Sequence, residues 1–377
     1  LSTECPHGHQ ALDGYLLPVN LAMGATFHPE LIRRAYQVCG EQLKSMGVDL
    51  ALISLLDVAR DPRWGRTEEC FSEDPWLCSR MAEQVVQAVQ DAGVTVVAKH
   101  FAAQGEGTGG VNASAARIGE RELREIHLPA MKACCDAGVK GVMAAYNEID
   151  GVYCHINHHL LTDILRTEMG FDGVVMADGC ALDRLDTVTG DNALSGALAV
   201  KAGVDIGLWD TAFGRLEEAV EKGYISEEEI DRAVLQVLKL KFARGLFEHP
   251  YLDEGTEAKV FSYEEYPQSL EIARESVVLL ENREACLPLD KGTGQIAVIG
   301  PNADDIYNQL GDYSPQVKKE DSVTVLDGIR RRAAQAGIPV KYACGCGTAE
   351  GSREEMEQAV SLAAESDVTV LVLGGSS

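Results

Sequence analysis

The run Gly173-Val174-Val175-Met176-Ala177-Asp178-Gly179 ends an apolar stretch on a carboxylate and follows it with glycine. In a parallel α/β fold the carboxyl ends of the strands face the crevice where ligands bind, so an acid placed there is presented to a ligand. Asp178 is the candidate nucleophile; taken alone, a helix cap or an ion-pair partner would explain it equally well. Three more polar clusters end apolar stretches in the same way: Asp57 to Arg66, Lys99-His100, and Tyr146-Asn147. Four in phase with strand ends point to one common mouth. Lys99 and His100 leave a fully pleated strand on opposite sides, and a twist or bulge is needed to bring both to that mouth. A cation near Asp178 favours its ionised form, and both groups can donate hydrogen bonds to hydroxyls. Lys99 also admits a structural salt bridge, or a Schiff-base role as in an aldolase. The latter needs a neutral, desolvated amine, against which the carboxylates crowding the mouth argue.

The elements that must position these groups read as alternating strands and helices. Leu50 to Val58, Val94 to Phe101, Gly141 to Asn147, Gly173 to Ala177 and Val204 to Trp209 read as strands. Pro29 to Met46, Pro75 to Ala92, Glu120 to Asp136, His159 to Met169 and Ser226 to Ala243 read as helices, the last opened by a Ser226/Glu229 capping box. This alternation predicts a TIM-like (β/α) barrel over residues 1–245, with an open Rossmann-like sheet as the structural alternative. The polar stretch 246–266 is expected to be a linker. A helix over 269–280 and strands at Ile296 to Gly300 and Val368 to Leu373 then begin an α/β sandwich domain over 267–377, expected to be incomplete at its carboxyl end because the chain stops just after a strand.

Composition narrows the partners. With 33 Lys+Arg against 59 Asp+Glu, the formal charge of -26 repels nucleic acid and anionic membrane surfaces and favours neutral or cationic ligands, sugars among them. No apolar run approaches the length of a membrane span and no signal segment opens the chain. The eleven cysteines include no CxxC pair, so they read as free thiols in a reducing, cytoplasmic compartment. No metal and no cofactor is expected. The run Gly105-Glu106-Gly107-Thr108-Gly109-Gly110 satisfies GxGxxG, but no apolar helix opens at its last glycine, and it reads as a mouth loop. His155, His158 and His159 read as a helix entrance rather than a metal cluster. Trp64 and Tyr146 fit either sugar stacking or ordinary packing.

Together these residues resemble glycoside hydrolase family 3, the retaining exo-β-glycosidases. The resemblance rests on Glu4-Cys-Pro-His7-Gly8, Arg60-Asp-Pro-Arg-Trp-Gly-Arg66, Glu73-Asp74-Pro75, Lys99-His100-Phe101, Glu120-Arg121-Glu122-Leu123, Tyr146-Asn147 and the strand ending at Asp178. It implies a TIM-like first domain with Asp178 as nucleophile and Glu4, Arg66, Lys99, His100 and Tyr146 around a terminal sugar. It also implies an α/β sandwich that includes Gly300-Pro301-Asn302-Ala303 and Gly311-Asp312-Tyr313. A strand and helix before Glu4, and an acid/base glutamate beyond residue 377, are further expectations of the resemblance. Three features depart from the family pattern or refine it. Ala177-Asp178-Gly179 stands where Ser-Asp-Trp or Ser-Asp-Cys is usual, which removes an aromatic wall. Lys99-His-Phe-Ala-Ala-Gln104 lacks the Asp-His dyad pattern of the family's N-acetylglucosaminidases. Glu4 and Cys180 lean toward xylosidase-like members.

The expected function is hydrolysis of terminal β-D-glucosyl or β-D-xylosyl residues by double displacement through a glycosyl-Asp178 intermediate. The alternatives are a sugar-binding or regulatory protein on the same scaffold, and the Schiff-base aldolase. The expected partner is a carbohydrate, with self-association into a homo-oligomer left open.

Overall fold

Alternate residues of the apolar runs sort into two layers, and that sorting decides which polar groups meet. The computed structural model describes residues 1–290, 292–318 and 322–376. It divides into two compact units, Leu1–Val277 with Tyr313–Pro315, and Val278–Asp312 with Gln316–Ser377.

The first unit is a TIM-like (β/α) barrel. Its strands β1 (Ser2–Glu4), β2 (Leu50–Ser54), β3 (Thr95–Phe101), β4 (Gly141–Ala144) and β5 (Val174–Met176) lie side by side in chain order, all parallel. Parallel neighbours require crossovers, which the helices Pro29–Ser45, Pro75–Asp91, Pro129–Asp136 and His159–Glu168 supply after β1 to β4. Proline opens the first three of these helices, where its missing N–H costs nothing. Asp74 caps the second through the Trp76 amide at 2.8 Å. The expected capping box of Ser226 and Glu229 opens Glu227–Ala243.

Ala51, Ile53, Val96, Ala98, Val142, Ala144, Val175 and Ala177 join the core shared with the helices. Leu52, Val97, Met143 and Met176 form a separate cluster with Leu50, Ile206 and Leu208, which is the barrel interior. Because the strand period is two, Ser54, Lys99 and Asp178 continue the interior phase one step beyond Leu52, Val97 and Met176. That step is the mouth.

Several expectations are corrected. Val204 to Trp209 is not a regular strand: Ile206 forms a single bridge to Met176, and the Asp205 carboxylate takes the Val175 N–H at 2.8 Å together with Arg166 at 2.7 Å. A side chain thus replaces part of the ladder. Glu120 to Asp136 is broken into a short turn, a wider π-type turn over Leu123–His127 and the helix Pro129–Asp136, because Pro129 has no N–H to continue the ladder. Strand β1 escaped prediction, since Ser-Thr-Glu carries no apolar alternation.

The domain boundary also moves. The stretch 246–266 packs on the barrel: the Lys259 carbonyl accepts from Gln42 at 3.0 Å, Tyr263 stacks on Tyr15 at 5.1 Å, and the Tyr15 hydroxyl donates to the Tyr266 carbonyl at 2.6 Å. The helix Gln268–Glu275, expected in the second domain, follows it and buries Ile272 in the barrel's outer core.

In the second unit β6 (Ile296–Ile299) lies between β7 (Val340–Ala343) and β8 (Val368–Leu371), all parallel. Ile296 and Val298 pack with Leu326 and Ala333, while Ala297 and Ile299 pack with Ala359. The helices Val325–Ala334 and Arg353–Ala364 therefore cover opposite faces, an α/β sandwich. No helix among the described residues is long and apolar enough to cross a membrane.

Candidate active site

Asp178 is 9% exposed, and its environment is built from the backbone outward. Its amide donates to His155 Nε2 at 3.2 Å, and its Oδ1 accepts from the Gly179 amide at 2.8 Å. Oδ2 is buried and accepts no hydrogen bond among the described residues. An unmet buried acceptor costs about 1–3 kcal/mol, so it needs a reason. His100 Nε2 is 3.7 Å from that oxygen.

His100 is held on two sides. Its Nδ1 lies 2.7 Å and its amide nitrogen 3.2 Å from Asp57 Oδ2, and Arg66 Nη2 lies 3.1 Å from its Nε2. A guanidinium only donates, so Nε2 accepts and the ring proton faces Asp57. The strand is not fully pleated: the register of β3 against β4 shifts between Ala98 and Phe101, and both Lys99 and His100 reach the mouth. The Gly105 amide donates to Asp57 Oδ1 at 3.3 Å, so the first glycine of the GxGxxG run supports this dyad.

Arg66 is forked onto Glu69, Nε to Oε1 at 2.5 Å and Nη2 to Oε2 at 3.0 Å, and the Ser54 hydroxyl also donates to Glu69. Burial pushes the Glu69 carboxyl up, but Arg66 and Lys99 outweigh it and hold it well below the usual range. Lys99 Nζ donates to Glu4 Oε2 at 2.6 Å and lies 4.2 Å from the Tyr313 ring centre. Burial disfavours the Lys99 charge, yet the Glu4 and Glu69 carboxylates hold its pKa above the ordinary value. Glu4 itself is pushed up by burial, with Lys99 opposing. A lysine held charged between two acids cannot serve as the neutral amine of an aldolase.

Tyr146 donates to the Gly179 carbonyl at 2.7 Å and lies under the Arg184 guanidinium at 5.1 Å. Burial and the Asp178 charge push its phenol up. Glu4, Arg66, Lys99, His100, Tyr146 and Asp178 thus gather around one rim. Trp64 is buried, its indole N–H bonded to Asn112 at 3.0 Å, and it packs rather than presenting a face. His158 and His159 lie at the surface beside Asp163, apart in role from His155.

Sequence reasoning missed Glu69, His155 and Tyr313 as members of the site. Only Glu69 carried a signal, its position three residues after Arg66 in an acidic turn. Burial lowers the His155 pKa to about 4 from an ordinary 6.5, against the pull of Asp178. The unfolded imidazole therefore binds more protons than the folded one between those values. Its contribution to stability is full above pH 6.5 and lost as pH falls toward 4, about 3 kcal/mol at most. The urea midpoint is expected to fall across that window, and His155→Gln, which keeps an acceptor for the Asp178 amide, to flatten the slope by about one proton. An unchanged slope in the variant would refute this assignment.

Residues 1–240 match the family model described as glycosyl hydrolase family 3 N terminal domain, and residues 277–377 the model of its C-terminal domain. A β-xylosidase of Formosa agariphila is 34% identical over 95% of this chain and 53% of its own length. A periplasmic β-glucosidase of Salmonella typhimurium is 32% identical over 98% of this chain and 52% of its own. The chain thus spans about half the length of these curated relatives. Among solved structures, a β-glucosidase from Erythrobacter marinus matches all of this chain and 54% of its own with TM-score 0.90 and 33% identity. A Listeria innocua β-glucosidase, solved with glucose, matches all of this chain and 52% of its own with TM-score 0.87 and 31% identity.

Proposed function

The chain belongs to glycosyl hydrolase family 3, and on that premise we propose that it acts as a retaining exo-β-glycosidase on terminal β-D-glucosyl or β-D-xylosyl residues. The observation that carries this reading is the buried, unbonded Oδ2 of Asp178, an acceptor kept open beside His100. A carboxylate oxygen that no protein donor occupies keeps its lone pair for carbon.

In the first step Oδ2 bonds to the anomeric carbon as the glycosidic C–O bond breaks, and the leaving oxygen takes a proton from a second carboxyl. In the second, water attacks the glycosyl ester, the same carboxyl accepts its proton, and Asp178 leaves with the β configuration restored. The proton donor of this proposal is a second carboxyl that must stand about 5 Å from Asp178 across the scissile bond. Glu4, Arg66, Lys99 and His100 hold the sugar hydroxyls, His100 by exchanging the Arg66 N–H at its Nε2 for a hydroxyl; these bonds must strengthen as the ring flattens toward the transition state, since equal binding of both states would not raise the rate. Tyr146 fixes the Gly179 carbonyl and so the turn that carries Asp178. The free thiols of all eleven cysteines support a reducing, cytoplasmic setting.

Proton NMR of the full-length protein acting on an aryl β-glycoside tests the reading. The β-anomer of the sugar is expected first, with the α-anomer appearing only by mutarotation; α-anomer first would overturn it. The ratio of kcat/KM for aryl β-glucoside and β-xyloside decides the sugar.

A further inference from the structure

Two cavities in the barrel unit meet at Arg60 and Pro62. One, of about 450 Å³, is walled by apolar side chains, among them Leu21, Phe27 and Leu77. The other, of about 620 Å³, is walled by polar ones, among them Asp61, Glu106 and Arg117. Both volumes lie in the range of ligand sites, about 300–1,000 Å³. Joined end to end they form one groove, apolar at one end and hydrogen-bonding at the other. Neither cavity is lined by Asp178 or by the side chains that hold the sugar over it.

The apolar end is built, and its construction is costly. The helix Asn20–Ala25 rests directly on backbone: a Cβ on Gly24 would lie 1.6 Å from the Phe71 carbonyl oxygen. Asn20 fixes that helix from the other side, donating to the Ser54 carbonyl at 2.7 Å and to the Glu69 carbonyl at 2.8 Å. Phe27 follows in a left-handed conformation, φ 50°, unfavourable for a bulky residue. Its amide donates to the Gly24 carbonyl at 3.0 Å, and the Thr26 hydroxyl accepts from the His28 amide at 3.1 Å. Yet the ring so placed is 74% exposed, so burial in the fold does not offset the strain. A ligand ring laid on it would.

At the polar end the charges cancel. Arg60 Nε donates to Glu106 Oε2 at 3.0 Å, and Arg63 Nη2 to Asp61 Oδ2 at 2.6 Å. Arg117 is exposed, and its guanidinium has no partner among the described residues. A polyanion needs an excess of cations, which the groove lacks and the formal charge of -26 opposes. A neutral pyranose chain matches both ends: its C–H faces suit an aromatic ring, and its hydroxyls suit fixed carboxylate acceptors and a free guanidinium fork. We propose that this groove is a second carbohydrate site, apart from the catalytic mouth, that binds a neutral β-glycan chain with Phe27 as its stacking face and Arg117 as its donor. The choice of a β-linked chain rests on the glycosidase reading above; the groove itself does not.

Electrophoresis of the full-length protein through native gels containing neutral arabinoxylan or hydroxyethyl cellulose tests it. Wild type is expected to be retarded by at least one of the two. Phe27→Ala should weaken the apparent affinity about tenfold, Arg117→Ala about three- to tenfold, and Phe27→Trp should restore it. Both alanine variants should keep kcat/KM on an aryl β-glycoside within twofold of wild type, because that substrate does not reach the groove. Protein labelled at the mouth by a 2-deoxy-2-fluoro-β-glycosyl fluoride should be retarded as much as unlabelled protein. Free passage of wild type through both gels would overturn the proposal, as would retardation that the alanine variants share in full or that labelling abolishes. Retardation by polygalacturonate alone would show that Arg117 serves an anion, and would also overturn it. If no label is taken up, the nucleophile reading fails instead, and the mobility of Phe27→Ala against wild type still decides the groove.

Discussion

Asp178→Ala in the full-length protein is expected to lower kcat/KM on an aryl β-glycoside by about 10,000-fold or more, the scale of losing a nucleophile. Azide should restore part of the rate and yield the α-glycosyl azide, because a small anion can enter the space of the missing carboxylate and attack from the same face. That product distinguishes a lost nucleophile from a disturbed fold. Asp178→Asn tests charge at nearly constant shape: the Gly179 amide still has an oxygen to bond, yet the amide is a poor nucleophile and turnover should fall comparably. Activity within tenfold of wild type in both variants, measured with an activated aryl leaving group, would take the role from Asp178.

Glu69→Leu is expected to destabilise the protein by about 3–5 kcal/mol, read as a shift in the urea unfolding midpoint, because it strands the Arg66 guanidinium without its buried partner. The Glu69 carboxylate receives two bonds from Arg66 and one from Ser54, and its charge supports Lys99 as well. Arg66 in turn supplies the donor at His100 Nε2, so loss of the fork frees two hydroxyl-binding side chains together. Glu69→Gln keeps the shape and an acceptor while removing the charge, and should fall between Leu and wild type in stability. A change below about 1 kcal/mol in Glu69→Leu would mean that the pair is worth no more than a surface salt bridge.

The legible part of the site was the part carried by strand ends. Lys99 and Asp178 lie two residues past interior apolar side chains, and a period of two in the sequence finds them directly. His100 lies out of phase and needed the shift in register that β3 shows against β4. Glu69 sits in a short turn, Thr67–Glu69, where burial follows from Arg66 and Ser54 rather than from any repeating pattern. His155 looked like one member of a histidine group, because adjacency in sequence says nothing about which ring turns inward. The barrel boundary was set too early because Phe261, Tyr263 and Tyr266 are spaced irregularly among polar residues, so a packed strap reads as a linker.

Leu52, Val97, Met143 and Met176 lie one layer beneath Ser54, Lys99 and Asp178. This layer works as insulation. Counterions cannot approach the charges from below, and the field among Glu69, Arg66, Lys99 and Asp178 spreads through hydrocarbon that screens it little. Added salt mutes the excess negative charge over the exterior, while the forces felt by a sugar at the anomeric carbon stay nearly those of dilute buffer.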